Sequence, residues 1–566
     1  MVIGNALSVG LLGLKAFTIQ LQAFISSGLP GFSIIGLPDT SLSEARERVK
    51  SAYMSLHCTW PDTRLTVNLS PASMPKSGSS YDLAIAASIL SARGIIPLNE
   101  LENTIILGEL NLDGSVLPIQ GMLPIALYAK QKNITKMIIP YKNLAEAKLV
   151  DGIEAIGIKH ILDLVDELNG KLEDEDRPIA EKNRERALNA INPYDHIIVE
   201  ERENPGDYCN PNNNGINNTN YKKEGSEEPQ NNNKPLNNSP LNAIGDMSEV
   251  LGQEHTKWAL QVAAAGGHHV MMIGPPGSGK TMLASRMPSI MCPLTEQEQL
   301  EVASIRSLCG TLDYYGITDI PPFEAPHHTS SAASLIGGGA GLAKPGIITR
   351  AHCGVLFMDE APEFSPRVLQ TLREPLESGH IAVSRSKGTT LYPAKFQLVI
   401  AANPCPCGYA YGNGERCTCK EKERIRYFSR LSGPILDRID IQMDVPPVEK
   451  IITKKAMLEN GASQMSGKIL TSKMMRQNVK NARLVAQDRF KKLGWSCNAQ
   501  ASGTWLRKNT SQDAIELINR SLENHKLSLR GADRALRLAW TLADLCGHTC
   551  PDLTDMAQAI SLRTRI

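Results

Sequence analysis

The stretch that most constrains this chain is residues 270–281, Val-Met-Met-Ile-Gly-Pro-Pro-Gly-Ser-Gly-Lys-Thr. Four apolar residues, Val270 to Ile273, predict a buried parallel strand. The strand runs into Gly274, Pro275, Pro276, Gly277, Ser278, Gly279, Lys280 and Thr281, which satisfy G-x-x-x-x-G-K-[ST], a phosphate-binding loop. Glycines let backbone N–H groups crowd a polyphosphate that a Cβ would obstruct. A helix starting near Lys280 points its positive end at the same phosphates. Lys280 is expected to reach the β- and γ-phosphates of ATP, and the Thr281 hydroxyl to ligate Mg²⁺.

A second element completes the chemistry. Gly354-Val-Leu-Phe-Met-Asp-Glu360 reads as a buried strand with two carboxylates at its C-terminal end, where ligand chemistry belongs in an open parallel sheet. Asp359 is expected to hold the Mg²⁺ shell, and Glu360 to polarise the attacking water. A run of apolar residues ending in Asp-Glu is weak by itself. It gains weight from its place downstream of a phosphate loop.

Cys405, Cys407, Cys417 and Cys419 stand at C-x-C-x₉-C-x-C. Four soft ligands suit a tetrahedral, structural Zn²⁺, with reduced, unliganded thiols as the plain alternative. The rest of the composition excludes more than it selects. Formal net charge is +1, so any nucleic-acid surface must be local rather than global. No stretch approaches the ~18 apolar residues of a membrane span. The first residues lack a basic region and an unbroken apolar run, so a cytoplasmic location is expected, with cysteines reduced.

The length predicts several domains. In residues 1–170, apolar runs such as Thr18–Phe24, Gly31–Ile35, Leu65–Leu69 and Lys136–Ile139 alternate with helical patterns at Asp39–Leu56, Tyr81–Ala92 and Leu123–Gln131. Residues 171–245 begin charged and helix-compatible, then become asparagine-rich, with fourteen asparagines after residue 200. Too little apolar surface is present there to offset the entropy of ordering, so a flexible linker is expected. Residues 246–446 hold the phosphate loop, the acidic pair and the cysteines. Residues 447–566 read as helical throughout.

Two segments, Ser70-Pro-Ala-Ser-Met-Pro-Lys-Ser-Gly-Ser-Ser-Tyr-Asp82 and Leu107-Gly-Glu-Leu-Asn-Leu-Asp-Gly-Ser-Val-Leu-Pro-Ile-Gln-Gly121, resemble the Lon-type protease fold. Ser80 matches the nucleophile of that family. The catalytic lysine is due just after Gly121, where this chain has Met122-Leu123-Pro124. A serine without a base is a poor nucleophile at neutral pH, so a Lon-like module without protease activity is expected.

Thr349–Phe364, Leu372–Ile381 and Arg430–Asp440 resemble the Mg-chelatase-like AAA+ family, specifically its ComM/YifB group. The resemblance implies an α/β chain: a Lon-like N-terminal domain, an AAA+ parallel-sheet domain with inserts, and a helical C-terminal lid. It implies an ATP-powered homo-hexameric ring. Asn403, ending the strand Phe396-Gln-Leu-Val-Ile-Ala-Ala-Asn, matches the γ-phosphate sensor. Arg438 matches the arginine projected into a neighbour's site, with Arg430 as second choice and a surface salt bridge as the plain alternative. Arg530, or else Arg534, matches the second sensor of the lid. Two insertions are implied, one at residues 326–345 and one a hairpin at residues 381–392 carrying Arg385, Lys387 and Gly388. Such hairpins face the channel in related ring helicases, although a solvated tip reads the same way. The group implies a DNA motor for branch migration in recombination and natural transformation. The alternative is a chelatase-type remodeller working on a protein partner.

Overall fold

The protein is described by a computed structural model, covering all residues except 1–2, 37–38, 73, 75, 77–78, 191–243, 339–343, 386–387, 413, 432, 448–469, 526 and 564–566. The chain forms two compact units.

The N-terminal unit is built on a seven-stranded sheet. Its order is Gly31–Ile35, Arg64–Ser70, Lys15–Ser26, Ile3–Leu12, Thr104–Ile106, Lys136–Pro140, Glu154–Ile158. Arg64–Ser70 runs antiparallel to Lys15–Ser26, while the pairs from Ile3–Leu12 onward to Glu154–Ile158 are parallel. Strand Ile3–Leu12 is one the sequence did not announce: its glycine-broken stretch alternates only over Ile3–Ala6, and Ser8, Val9 and Gly10 are buried in succession. Helix Asp82–Ala92 is buried at every position, which its Leu-Ala-Ile-Ala-Ala-Ser-Ile-Leu composition permits. Helix Arg177–Asn189, in the segment expected to open the linker, belongs to this unit instead. Asn183 donates to the Ser55 carbonyl at 2.9 Å, and Arg184 pairs with Asp163 at 2.6 Å. The asparagine-rich run lies outside the described residues.

The second unit carries a five-stranded parallel sheet ordered Phe323–Glu324, Val355–Met358, Gln397–Ala402, Val270–Ile273, Ile441–Asp444. Both faces are covered, so the inner strands Val270–Ile273 and Val355–Met358 are apolar throughout, whereas the edge strand Ile441–Asp444 alternates. Val270, Met272, Phe357 and Val399 face one core; Met271, Ile273, Leu356, Met358 and Ile400 face the other. The first core continues without a break into the C-terminal helices. Met475, Val479, Leu536 and Leu538 join Leu260 and Ala263 of helix Glu254–Gly266. Helix Leu529–Cys546 packs on helices Ser472–Phe490, Glu254–Gly266 and Leu553–Arg563. The hairpin expected at 381–392 forms as His380–Arg385 paired antiparallel with Gly388–Pro393. Lys387 lies outside the described residues, as does the side chain of Arg385.

Candidate active site

Parallel pairing brings the expected residues to one end of the second sheet. Met358 pairs with Ile400, and Ile273 with Ala402, so Asp359, Asn403 and Gly274 all follow the C-terminal ends of adjacent strands. Lys280 opens helix Lys280–Ser285 from a loop in which Gly277 and Gly279 take φ of +77° and +87°. A side chain at either position would be strained, which is why the loop needs glycine there.

The chemistry closes through side chains. The Thr281 hydroxyl donates to Asp359 Oδ2 at 2.7 Å. Two hard oxygen ligands held together suit Mg²⁺, which keeps waters and takes one or two carboxylates plus phosphate. The Lys280 ammonium donates to the carbonyls of Gly274 at 2.7 Å and Pro275 at 2.9 Å, and to Asn403 Oδ1 at 3.3 Å. Burial pulls its pKa below the ordinary value, while Asp359 and Glu360 push it back up. These contacts hold the ammonium between the loop and the end of the strand that carries Asn403. Glu360 is exposed and takes φ +48°, a left-handed conformation rare for a non-glycine residue and often found at functional sites.

One neighbour of Glu360 escaped the sequence reading. His328 Nδ1 lies 3.8 Å from Glu360 Oε2. The register explains it: Phe323 pairs with Val355 and Glu324 with Leu356, so chain continuing in step brings residue 328 level with residue 360. Pro-His-His-Thr following a short strand that abuts the acidic one was the available signal. The His327 ring lies tilted against His328, with centroids 4.1 Å apart.

Arg438, Arg530 and Arg534 stand elsewhere. Ile441 pairs with Val270, the first residue of the phosphate-loop strand, so Asp437, Arg438 and Asp440 lie at the opposite end of the sheet. A four-residue strand separates the two ends by about 13 Å. Arg438 pairs with Glu377, Arg530 lies 3.6 Å from Asp437, and Arg534 pairs with Asp440. Arg530 is exposed, with 74% of its side-chain surface open, whereas Arg534 is largely covered. Arg430 pairs with Glu363 at 3.2 Å. A second-sensor arginine reaching its own chain's phosphate does not fit this placement.

The cysteine loop adjoins the site. Cys405 Sγ lies 3.2 Å from Cys407 Sγ and 3.7 Å from Cys417 Sγ, and Cys407 lies 3.7 Å from Cys417. All four sulfurs fall within 4.8 Å of one another. Tetrahedral zinc with bonds of about 2.3 Å requires sulfur separations of about 3.8 Å, so the donor set fits. The Ala410 N–H donates to Cys405 Sγ at 3.3 Å, the outer-shell support that a metal thiolate uses. A second cluster, Glu301, His352 and Cys353, fits less well. The Lys395 N–H donates to His352 Nδ1, leaving the proton on Nε2, which donates to Glu301 at 2.9 Å. That ring has no lone pair left for a cation.

In the N-terminal unit, Ser80 is half-buried. The nearby Lys76 ammonium is spent on the carbonyls of Pro71 and Met74. Met122 and Leu123, where the Lon lysine would stand, are buried apolar residues opening helix Met122–Gln131.

Comparison with known proteins fits this geometry. Three family models match: magnesium chelatase, subunit ChlI, over residues 246–452; subunit ChlI of Mg-chelatase over 21–143; and the ChlI C-terminal region over 470–563. An uncharacterised protein of Mycobacterium tuberculosis is 40% identical over all of this chain and 99% of its own length. Competence protein ComM of Haemophilus influenzae is 34% identical over 98% of this chain and 96% of its own. Lon protease 2 of Bacillus subtilis is 42% identical over 100 residues, 17% of this chain and 18% of that protein. No helix among the described residues is long and apolar enough to cross a membrane. The chain belongs to the Mg-chelatase-like AAA+ ATPases, in the ComM/YifB group.

Proposed function

We propose that this chain assembles into a ring, a homo-hexamer, that hydrolyses ATP to translocate on DNA and promotes branch migration during recombination and natural transformation. The observation that carries the ring is the separation of Arg438 and Arg530 from their own phosphate loop by the length of the sheet. An arginine so placed is out of reach of its own chain's phosphate and suits the phosphate of another copy. A neighbour's arginine that stabilises charge developing on the γ-phosphate makes hydrolysis conditional on assembly.

Within one subunit, Lys280 and the loop amides hold the β- and γ-phosphates. Thr281 and Asp359 would hold Mg²⁺, which would supply positive charge beside the phosphates. Glu360 orients and polarises the attacking water, and Asn403 reports the γ-phosphate to the loop behind it. Cys405, Cys407, Cys417 and Cys419 hold a structural Zn²⁺ with no open position for water. The Lon-like unit serves as a binding module.

The DNA reading draws support from the competence protein among the relatives and from the hairpin at His380–Pro393, in which Arg385 pairs with Gly388. Steady-state ATPase rates with and without single-stranded and forked DNA test it, with Glu360→Gln as control. Strong stimulation by DNA, abolished in the control, supports the motor. An ATPase indifferent to every DNA overturns it and favours the remodeller of a protein partner, the role that the chelatase family models suggest.

A further inference from the structure

The cysteine loop touches the phosphate loop directly. Gly408 is buried at φ +82°, and its N–H donates to the Cys405 carbonyl at 3.0 Å. A Cβ on Gly408 would meet Cγ and Cδ of Pro276 at 2.7 Å. Only a glycine lets the turn from Cys405 to Gly408 rest against the Pro276 ring. Pro276 stands within the run of amides that meets the phosphates.

The same loop holds the sensor. Asn403, whose Oδ1 is 3.3 Å from Lys280 Nζ, is separated from Cys405 by Pro404 alone. On its far side the loop passes Cys417 and Cys419 and enters helix Glu421–Ser429. That helix returns a buried Tyr427, whose hydroxyl hydrogen-bonds the backbone of Asn403. Two parts of the ATP site, Pro276 and Asn403, are therefore braced by one loop whose cohesion depends on four thiols. Among the described residues of the loop, 406, 409, 411, 412, 415, 416 and 418 are exposed, and besides the sulfurs Arg416 lies over the Tyr409 ring at 4.3 Å.

We infer that the four-cysteine clip is a metal-dependent control on nucleotide binding: zinc in the clip sets the Pro276 wall and the Asn403 sensor, and nucleotide in the site tightens the clip's hold on zinc. This rests on the zinc reading of the cluster. Coupling between two sites is reciprocal, so the effect must appear from both directions.

The test uses the full chain. Zinc content is measured first. Zinc affinity is then measured by competition with a chromophoric chelator, with and without a non-hydrolysable ATP analogue and Mg²⁺. The analogue is expected to tighten zinc roughly 10-fold, within the usual range of coupling between sites. Zinc-stripped protein should bind the analogue weaker by the same factor. Should stripping unfold the chain, the zinc affinity of the loaded protein alone carries the measurement. Gly408→Ala keeps all four cysteines and should still bind one zinc per chain, but with the coupling reduced to about 2-fold or less. Lys280→Ala supplies a chain whose zinc affinity should ignore the analogue. One zinc per chain with an affinity indifferent to bound analogue overturns the coupling and leaves the zinc site standing. A chain that binds no zinc overturns both.

Discussion

The two ends of the parallel sheet in the second unit are built on different physics. At the C-terminal end, the polar side chains bond one another in partly open space: Thr281 to Asp359, Lys280 to Asn403. They are arranged for a ligand that will displace some of those contacts. At the N-terminal end, Asp440 is buried, bonded to Arg534, His268 and the His269 N–H. Burial opposes its ionisation, yet Arg534 and His268 outweigh burial and hold its carboxyl far below the usual carboxylate range. The first end does chemistry. The second fixes where the C-terminal helices stand and so where Arg438 and Arg530 point.

The largest expected effect tests whether the second end serves another copy. Arg438→Ala should lower the rate of hydrolysis by about 10³-fold while leaving nucleotide affinity nearly unchanged. Lys280→Ala should be dead through loss of the phosphate contact. Mixed, the two variants should regain part of the activity, because one lends its arginine to the other's intact site. A mixture as dead as its components would place Arg438 outside the neighbour's site.

Next comes the anchor. Asp440→Asn leaves Arg534 with no charged partner in a covered site, and breaking a buried pair in this way costs about 3–5 kcal/mol. Urea unfolding measures it directly. A loss under about 1 kcal/mol would show that the two ends are not held by different means after all.

The same anchor gives stability a pH dependence of known sign. Burial pulls the His268 pKa down, with Asp440 opposing. Below about pH 6.5 the unfolded chain takes up a proton that folded His268 refuses; below about pH 4 the same holds for Asp440. Stability should therefore be fully present near neutrality and fall on acidification through both ranges. Asp440→Asn should remove the lower part of that fall. Thermal midpoints between about pH 8 and pH 2 follow it, and a flat profile would contradict the arrangement.

The contrast also explains what the sequence disclosed. The phosphate loop and the Asp-Glu pair were legible because their chemistry is local: glycines, a lysine and strand-end carboxylates sit in short continuous runs. The placement of Asn403 beside Lys280 and the gathering of the four cysteines were legible for the same reason, since each lies in a short run of sequence. Arg530 was not, because its position is decided by the docking of helix Leu529–Cys546 on Glu254–Gly266, and no local run of residues encodes which end of a distant sheet that helix meets. Strand Ile3–Leu12 hid behind its glycines. Helix Arg177–Asn189 looked like linker because its mean composition is polar, while its attachment includes Arg177 on Asp166, Asn183, Arg184 and one buried alanine, Ala180.

His328 gives the smallest effect and the finest probe of the chemical end. It was invisible until the pairing of Phe323 with Val355 set it level with Glu360. At 3.8 Å it steers the carboxylate rather than bonding it tightly. Glu360 sits on a left-handed residue with half its side chain open to solvent, so little else fixes its direction. An orienting group that does not touch phosphate changes the turnover step and spares binding. His328→Ala should lower kcat about 3- to 10-fold, roughly 1 kcal/mol, with KM for ATP unchanged. A parallel rise in KM would mean that His328 contacts the nucleotide itself. No change in either constant would mean that the backbone of Glu360 alone sets the direction of its carboxylate.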